Sequence, residues 1–168
     1  MHFKEDVEVE CSEALRLVEV IEESIGINLC RLLGCRLYCI QKDDLKKIFC
    51  ISRELEEFIK SQGAIDRIVH FGVLVGTSSG KELKPSIQLA LLLSMYKYRI
   101  NKGKAILYGK AALRFVHGKP VRRRFRVLGE SKFYLVFNEK GDPLGWGYIT
   151  NSTLYPYIDV GWFLRAGG

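Results

Sequence analysis

The stretch YRINKGKAILYGKAALRFVHGKPV, residues 98–121, decides the fold of the second half of the chain. It predicts a short strand, Lys104–Leu107, followed by a helical turn, Gly109–Phe115. Further β-like runs follow at Arg124–Val127, Phe133–Phe137, Leu144–Ile149 and Val160–Leu164. Short strands separated by glycine-bearing turns are typical of a small barrel. The composition changes near residues 96–98, so we predict a domain boundary there.

Two glycine-containing segments refine this barrel-like pattern. Asn138–Asp142 combines Asn, Gly and Asp, residues that tolerate the backbone angles of tight turns, and it predicts a hairpin. Gly145 and Gly147 alternate with bulkier residues in the next strand. Glycine inside a strand indicates a bulge or a close approach by other backbone.

The first half of the chain predicts a mixed α+β domain. Ser12 is placed to cap a helix with apolar positions Leu15, Val18, Ile21 and Ile25, ending at Gly26. Two β-like runs, Cys35–Ile40 and Leu45–Ile51, flank a polar turn. Ser52 then caps a helix over Arg53–Ser61 that Gly63 ends. The last predicted elements are a buried strand, Val69–Val75, and a helix, Pro85–Met95.

Charge separates the two halves sharply. Residues 1–97 carry 13 Lys and Arg against 15 Asp and Glu, a net charge of −2. Residues 98–168 carry 13 against 4, a net charge of +9. A concentrated positive field on so small a domain attracts polyanions, of which RNA and DNA are the commonest in a cell. A basic surface that only aids solubility is the alternative.

A cluster of cations and aromatic rings gives the candidate binding residues. In an extended strand alternate side chains share a face, which would place Arg122, Arg124 and Arg126 on one side and Arg123 on the other. Tyr155 and Tyr157, beside Pro156, are expected to be exposed in a polar loop and to stack on unpaired bases. The candidate RNA-binding residues are Lys102, Lys104, Lys110, Arg114, Lys119, Arg122, Arg123, Arg124, Arg126, Lys132, Tyr155 and Tyr157.

The five cysteines all lie in the first third and lack the close CxxC pairs of structural zinc sites. Reduced, buried thiols are therefore the favoured state, and no metal is expected. Three Gln and four Asn in the whole chain indicate a heat-loving source, in which intracellular disulfides do occur. If the hairpin turn centres on Lys42 and Asp43, Cys35 opposes Cys50, and these two could then form a cross-strand disulfide.

Other chemistry finds little support in the sequence. Gly76-Thr-Ser-Ser-Gly80-Lys81 resembles a phosphate-binding loop, but it has three residues between its glycines and Glu82 after the lysine, so we predict a flexible connection. His2, His70 and His117 have no recognisable catalytic partners. We therefore expect no enzyme and no cofactor. The apolar stretches are too short to span a membrane, and the acidic N-terminus is unlike a secretory signal, so we expect a cytoplasmic protein.

Three segments of the second half, YRINKGKAILYGKAALRFVHGKPV, YLVFNEKGDPLGWGYITNS and YIDVGWFLRAGG, resemble a PUA domain. This RNA-binding module is named for pseudouridine synthases and archaeosine transglycosylases. CRLYCIQKDDLKKIFCIS and HFGVLVGT extend the resemblance over the whole chain to the archaeal and eukaryotic Nip-seven family of ribosome-biogenesis factors. One departure is Asn151–Tyr157, since archaeal relatives tend to carry basic residues just before the final strand.

The resemblance implies an α+β fold, with a sandwich-like N-terminal domain, 1–97, built on an antiparallel sheet, and a PUA-type small barrel, 98–168. It implies binding to rRNA or pre-rRNA, a role in large-subunit assembly, and contact with the exosome or other assembly factors through the N-terminal domain. The protein would be nucleolar in a eukaryote. An MCT-one-type translation factor acting on ribosome-bound tRNA, or a non-catalytic subunit of an RNA-modifying complex, is an alternative. The 97-residue partner domain is too small for an RNA-modifying enzyme of its own.

Overall fold

The computed structural model describes residues 6–63, 72–80, 82–162 and 165. The chain divides into two compact units. The first consists of residues up to Glu19 together with Asn28–Leu89, and the second of Val20–Ile27 together with the chain from Ala90 onward. The predicted boundary between residues 97 and 98 stays a prediction. No helix in the described part of the chain is both long and apolar enough to cross a membrane.

The first unit is built on an antiparallel five-stranded sheet with the strands in sequence order. The strands are β1 (Asp6–Val9), β2 (Cys35–Lys42), β3 (Leu45–Ser52), β4 (Val73–Ser79) and β5 (Glu82–Pro85). The helices of the first half of the chain are α1 (Ser12–Ile25), α2 (Leu29–Leu33), α3 (Arg53–Ser61) and α4 (Ile87–Ser94). Because every connection joins neighbouring strands, the sheet is a simple meander.

The predicted N-cap is confirmed for α3 but not for α1, where Ser12 is the first helical residue and its hydroxyl donates to the carboxylate of Glu13. The hydroxyl of Ser52 accepts a hydrogen bond from the backbone N–H of Leu55 at 3.3 Å, which fixes the start of α3. In α1, Val18, Ile21 and Ile25 are buried as expected, but Leu15 is 53% exposed. Ala14 and Leu17 are buried instead, so the buried face keeps three of the four predicted positions and leaves Leu15 outside it.

The β2–β3 hairpin corrects two expectations about the cysteines. The turn falls on Asp43 and Asp44, so Cys35 pairs with Ser52, and Leu37 pairs with Cys50. This register differs from the predicted one by two residues, a shift that keeps every side chain on its expected face. Cys35 and Cys50 are therefore diagonal neighbours, 5.6 Å apart at Cα, and are joined by a disulfide. A second disulfide joins Cys11 to Cys39, so the expectation of reduced thiols is wrong.

Three further predictions in the first half change in detail. Pro85 ends β5 rather than opening a helix, and the hydroxyl of Ser86 caps α4 by accepting from Leu89 N–H at 3.0 Å. The predicted flexible connection at Gly76 is part of β4, where the lack of a side chain lets Lys84 of the neighbouring strand approach. Of the predicted strand Val69–Val75, Val69–Phe71, including His70, lies outside the described residues, and β4 begins at Val73 and ends at Ser79.

The second unit contains a second five-stranded sheet with one parallel pairing. Its strands are β6 (Lys104–Leu107), β7 (Phe125–Leu128), β8 (Tyr134–Asn138), β9 (Pro143–Thr150) and β10 (Thr153–Asp159), in the order β10-β9-β8-β6-β7. Only β6 and β8 run parallel, and the helix α5 (Lys110–Val116) follows β6. Phe115 of α5 packs with Leu107, Val136 and Leu154 in the core. The α+β class is confirmed, whereas closure into a barrel stays a prediction.

The β8–β9 hairpin confirms the predicted turn and the role of glycine. The side chain of Asn138 accepts hydrogen bonds from the N–H groups of Lys140 and Asp142 at 3.0 and 2.8 Å. Gly145 has φ +134°, and a Cβ there would lie 2.1 Å from the carbonyl oxygen of Ile158. Only glycine allows β10 to approach this closely.

The predicted final strand Val160–Leu164 is wrong where the structure describes it. Strand β10 ends at Asp159, and Val160 and Gly161 form a turn. The carboxylate of Asp159 accepts from Gly161 N–H at 2.9 Å, which folds the backbone away from the strand direction.

Candidate nucleic-acid interface

A basic pocket of about 600 Å³ lies on the second unit. Two of its cations come from α5, where Lys110 and Arg114 stand four residues apart and therefore share a helix face. The segment after Val121 provides Arg122, Arg123 and Arg124. Ala111, Pro120 and Val121 complete the lining. We call this the arginine pocket.

Backbone pairing holds the arginine pocket in place. Val121 and Leu154 exchange two hydrogen bonds, at 2.8 and 2.9 Å, which tie the start of the arginine segment to β10. The guanidinium of Arg114 donates to the carbonyl oxygen of Pro120 from two nitrogens, at 3.4 and 3.3 Å. The three arginines therefore begin from a fixed point beside α5.

The prediction that Arg122, Arg124 and Arg126 line one face of an extended strand is wrong. Strand β7 begins only at Phe125, and Arg124 has φ +62°, in the left-handed region. That conformation breaks the two-residue alternation, so Arg123 contributes to the same pocket as its two neighbours. Arg126 lies within β7 instead, opposite Ile106 of β6.

The charged residues that line the arginine pocket are all cations. No carboxylate lies within ion-pair distance of its five cations in the part of the chain that the structure describes. Like charges held together repel one another, and an anion that enters the pocket relieves this repulsion. Arginine forks fit phosphate oxygens in a bidentate manner. The pocket can therefore bind the phosphates of a polyanion.

The remaining predicted cations are dispersed. Lys119 is exposed next to Pro120, and its N–H donates to the carbonyl oxygen of Arg114 at 2.9 Å. Lys102 is half-buried, and Lys132 is exposed with its ammonium 5.8 Å from the ring centroid of Phe133. Lys104 is half-buried and lines a different pocket. The ten predicted cations are close in sequence, but they do not form one continuous surface.

The two predicted tyrosines lie in a strand, not in a polar loop. Tyr155 and Tyr157 belong to β10 and are half-buried. Tyr155 stacks on Tyr148 with ring centroids 5.3 Å apart, and Tyr157 packs against Phe133 at 5.2 Å. Burial reduces the ring surface that a base could reach, so the prediction of two exposed rings is wrong.

Tyr148 was missed, and it is the most exposed ring of this cluster at 37%. It lies opposite Tyr155 in the β9–β10 pairing. The alternation of Gly145 and Gly147 with larger residues gave no signal for this exposure, because it places Tyr148 on the face of the fully buried Trp146.

Among the described residues, no three His, Cys, Asp or Glu side chains come together as metal ligands would. His117 is exposed at the C-terminal end of α5. His2 and His70 lie outside the described residues.

The second half of the chain matches a known family of protein domains. Residues 96–168 match the family model described as the UPF0113 PUA domain. No curated protein shows a significant match to the chain. The chain therefore carries a C-terminal PUA domain, as the sequence predicted, and a PUA domain implies binding to RNA.

Proposed function

We propose that this protein binds RNA as a ribosome-biogenesis factor, acting in pre-rRNA processing and assembly of the large ribosomal subunit. The observation that carries the RNA-binding part is the arginine pocket, which holds five cations without a carboxylate partner among the described residues. The resemblance of segments along the whole chain to the Nip-seven family supports the finer role.

Binding without a chemical step is part of the proposal. The first unit would contact the exosome or other proteins of the pre-ribosomal particle, while the PUA domain holds the RNA. The site of action would be the cytoplasm, or the nucleolus in a eukaryote. Disulfides are rare in the cytosol outside hyperthermophiles, so the two disulfides of the first unit fit this location together with a heat-loving source.

The test of RNA binding uses the full chain and a single-stranded oligonucleotide. If about four phosphates are neutralised, the logarithm of affinity falls against the logarithm of salt concentration with a slope of about −3. Replacing Arg122, Arg123 and Arg124 with Ala should flatten this slope by about two units, because each lost single-strand phosphate contact removes roughly 0.7.

A matched control variant replaces three exposed cations of the first unit, Arg16, Lys47 and Arg53, with Ala. Both variants lose the same net charge, so a specific site affects only the first. If both variants weakened RNA binding equally, binding would depend on net charge in general and not on the arginine pocket.

The cellular role needs the identity of the bound RNA. Crosslinking in native cells, followed by sequencing, should recover large-subunit pre-rRNA, and copurified proteins should be assembly factors. Recovery of mature small subunits and tRNA would instead favour the MCT-one-type function. Base modification or NTP hydrolysis that depends on a residue of this chain would contradict the non-catalytic part of the proposal.

A further inference from the structure

A second pocket of about 240 Å³ lies elsewhere on the second unit. Its lining comes from the segment before β6, from β6 itself and from the β8–β9 hairpin. The lining residues are Lys97, Tyr98, Lys104, Ile106, Phe137, Asn138, Glu139, Lys140 and Gly141. We call this the lysine pocket.

Two half-buried lysines of this pocket, Lys97 and Lys104, each donate a hydrogen bond to a backbone carbonyl oxygen. The ammonium of Lys97 donates to the carbonyl oxygen of Gly141 at 3.1 Å, and that of Lys104 donates to the carbonyl oxygen of Lys97 at 2.9 Å. Within the described residues, neither ammonium lies within ion-pair distance of a carboxylate. Glu139 also lines the pocket but is exposed at the hairpin turn.

Burial makes the charge of Lys104 costly in the protein alone. It lowers the pKa of Lys104 below its ordinary value, because the charged form loses hydration. An anion bound beside the ammonium would offset this cost. The pocket thus has the electrostatic character of an anion site.

An exposed aromatic ring stands at the lysine pocket. Tyr98 is 91% exposed, the largest exposure among the large apolar and aromatic side chains that the structure describes as exposed. The ammonium of Lys97 lies 5.6 Å from its ring centroid. An aromatic ring beside a cation is the combination that binds single-stranded nucleic acid, since the ring stacks on a base and the cation contacts phosphate.

Strand pairing connects the two pockets. In β6, Ala105 and Leu107 are fully buried, so the alternate residues Lys104 and Ile106 face outward. Arg126 of β7 lies directly opposite Ile106 and shares that outward face. β7 is the edge strand of the sheet, and Arg126 follows Arg122–Arg124 by only two residues. The arginine pocket is lined by α5, which packs on the face of Ala105 and Leu107, so Arg126 places a cation where the chain passes from that side to the outward face of Lys104.

We propose that the lysine pocket is a second RNA subsite, which binds a phosphate through Lys97, Lys104 and Lys140 and stacks a base on Tyr98. A single strand held in the arginine pocket would pass around the edge strand β7, past Arg126, and onto the outward face of β6 to reach it. This inference rests on the proposed RNA-binding function and extends it to the length and path of the RNA.

The test compares oligouridylates of 4 and 12 nucleotides, because single-strand sites on small β domains cover roughly 4–16 nucleotides. The full-length variant Tyr98→Ala/Lys140→Ala removes two exposed side chains and leaves the half-buried Lys97 and Lys104 intact. It should lose about tenfold affinity for the 12-mer, because base stacking contributes that order of effect. Its salt slope should flatten by about 0.7, and its affinity for the 4-mer should be unchanged.

A matched control, Phe58→Ala/Lys47→Ala, removes an exposed ring and an exposed lysine from the first unit and should bind both oligomers normally. Unchanged 12-mer affinity in the Tyr98→Ala/Lys140→Ala variant would overturn the second subsite. Equal losses for both oligomers would overturn the path between the pockets. If the variant at Arg122, Arg123 and Arg124 also binds RNA normally, the arginine pocket is not the binding site. If the wild-type protein does not bind RNA, both proposals are wrong.

Discussion

The two compact units differ in their covalent cross-links and in the charge that they expose. All five cysteines belong to the first unit, which has two disulfides. The second unit contains no cysteine and encloses an aromatic and aliphatic core around Phe115. It is also the unit that presents cations without carboxylate partners among the described residues. Cross-linking is therefore separate from the proposed RNA surface.

This separation has a physical rationale. A surface that gathers like charges loses stability through repulsion, so its scaffold needs a strong core of its own. The fully buried Trp146 and Phe115 provide large apolar surfaces for that purpose. The first unit carries no such concentration of charge, and it adds two disulfides to a core of its own around Tyr38, Ile40 and Ile51.

The largest expected effect is that of reducing the disulfides. The Cys35–Cys50 bridge spans 15 residues and the Cys11–Cys39 bridge 28 residues. Each should contribute about 2–4 kcal/mol to the free energy of unfolding of the first unit, since a bridge restricts the unfolded chain. Denaturant unfolding with and without reductant, followed by the amide signals of β2 and β3, measures this loss.

The second unit provides the internal control for reduction. Both tryptophans of the chain belong to it, so tryptophan fluorescence reports its unfolding separately. Its midpoint should not move with reductant. Thiol titration of the unfolded, unreduced protein should find one reactive cysteine, and five would contradict both bridges.

A smaller effect tests whether the first unit also depends on its core. Leu17 is fully buried on α1 while Leu15 is exposed, so the same substitution has two outcomes on one helix. Leu17→Ala should cost about 2–5 kcal/mol, and Leu15→Ala less than about 0.5 kcal/mol. Similar costs for the two variants, measured by denaturant unfolding, would mean that the assigned face of α1 is wrong.

The same helix shows how far the sequence predicts this fold. Its span and its end at Gly26 were predictable because the apolar period and a terminal glycine are local signals, whereas Ser12 lies in the helix and does not cap it. Leu15 was misplaced because a stripe of apolar residues fits two overlapping faces, and only tertiary packing chooses between them. Likewise, the β2–β3 turn is centred one residue later than predicted, which changes the strand register by two residues. Lys42, Asp43 and Asp44 are all acceptable turn residues, so the sequence does not choose between the two positions.

The candidate site was predictable in composition but not in arrangement. The density of cations between Lys102 and Lys132 marked the correct domain. One pocket contains Arg122, Arg123 and Arg124 because Arg124 has a left-handed backbone conformation. No sequence pattern predicts that conformation. The lysine pocket could not be predicted from the sequence, because Lys97 and Gly141 come into contact only through tertiary structure.

The ionic cluster of the first unit should have a moderate and pH-dependent effect. Glu56 is buried and accepts hydrogen bonds from Lys60 and, at 2.9 Å, from Arg36. The bond from Lys60 is the main reason that its pKa lies below the ordinary value of 4.5. Burial, together with a hydrogen bond to Glu56, raises the pKa of Tyr38 to about 12.

The sign of the pH dependence follows from the lowered pKa of Glu56. The carboxylate stabilises the fold at pH values above 4.5, and this contribution is lost as the pH falls through the lower folded-state pKa. Glu56→Gln should cost about 1–3 kcal/mol at neutral pH, since Arg36 and Lys60 lose their charged acceptor but stay partly solvated. Unfolding curves between pH 2 and 7 should show a smaller acid loss in the variant than in the wild type.

The smallest expected effect is the most direct test of the separation between the units. Reduction of both disulfides should change RNA affinity by less than about twofold, because the arginine pocket lies wholly on the cysteine-free unit. The measurement is the affinity for a 12-nucleotide oligouridylate with and without reductant, at a temperature where tryptophan fluorescence shows the second unit folded. The charge of the pocket and its hydrogen bonds, such as Val121 to Leu154, involve no sulfur, so the salt slope should also stay constant. A large loss of affinity on reduction would mean that RNA binding needs the first unit in its cross-linked form, and the two units would then have to be treated as one binding body.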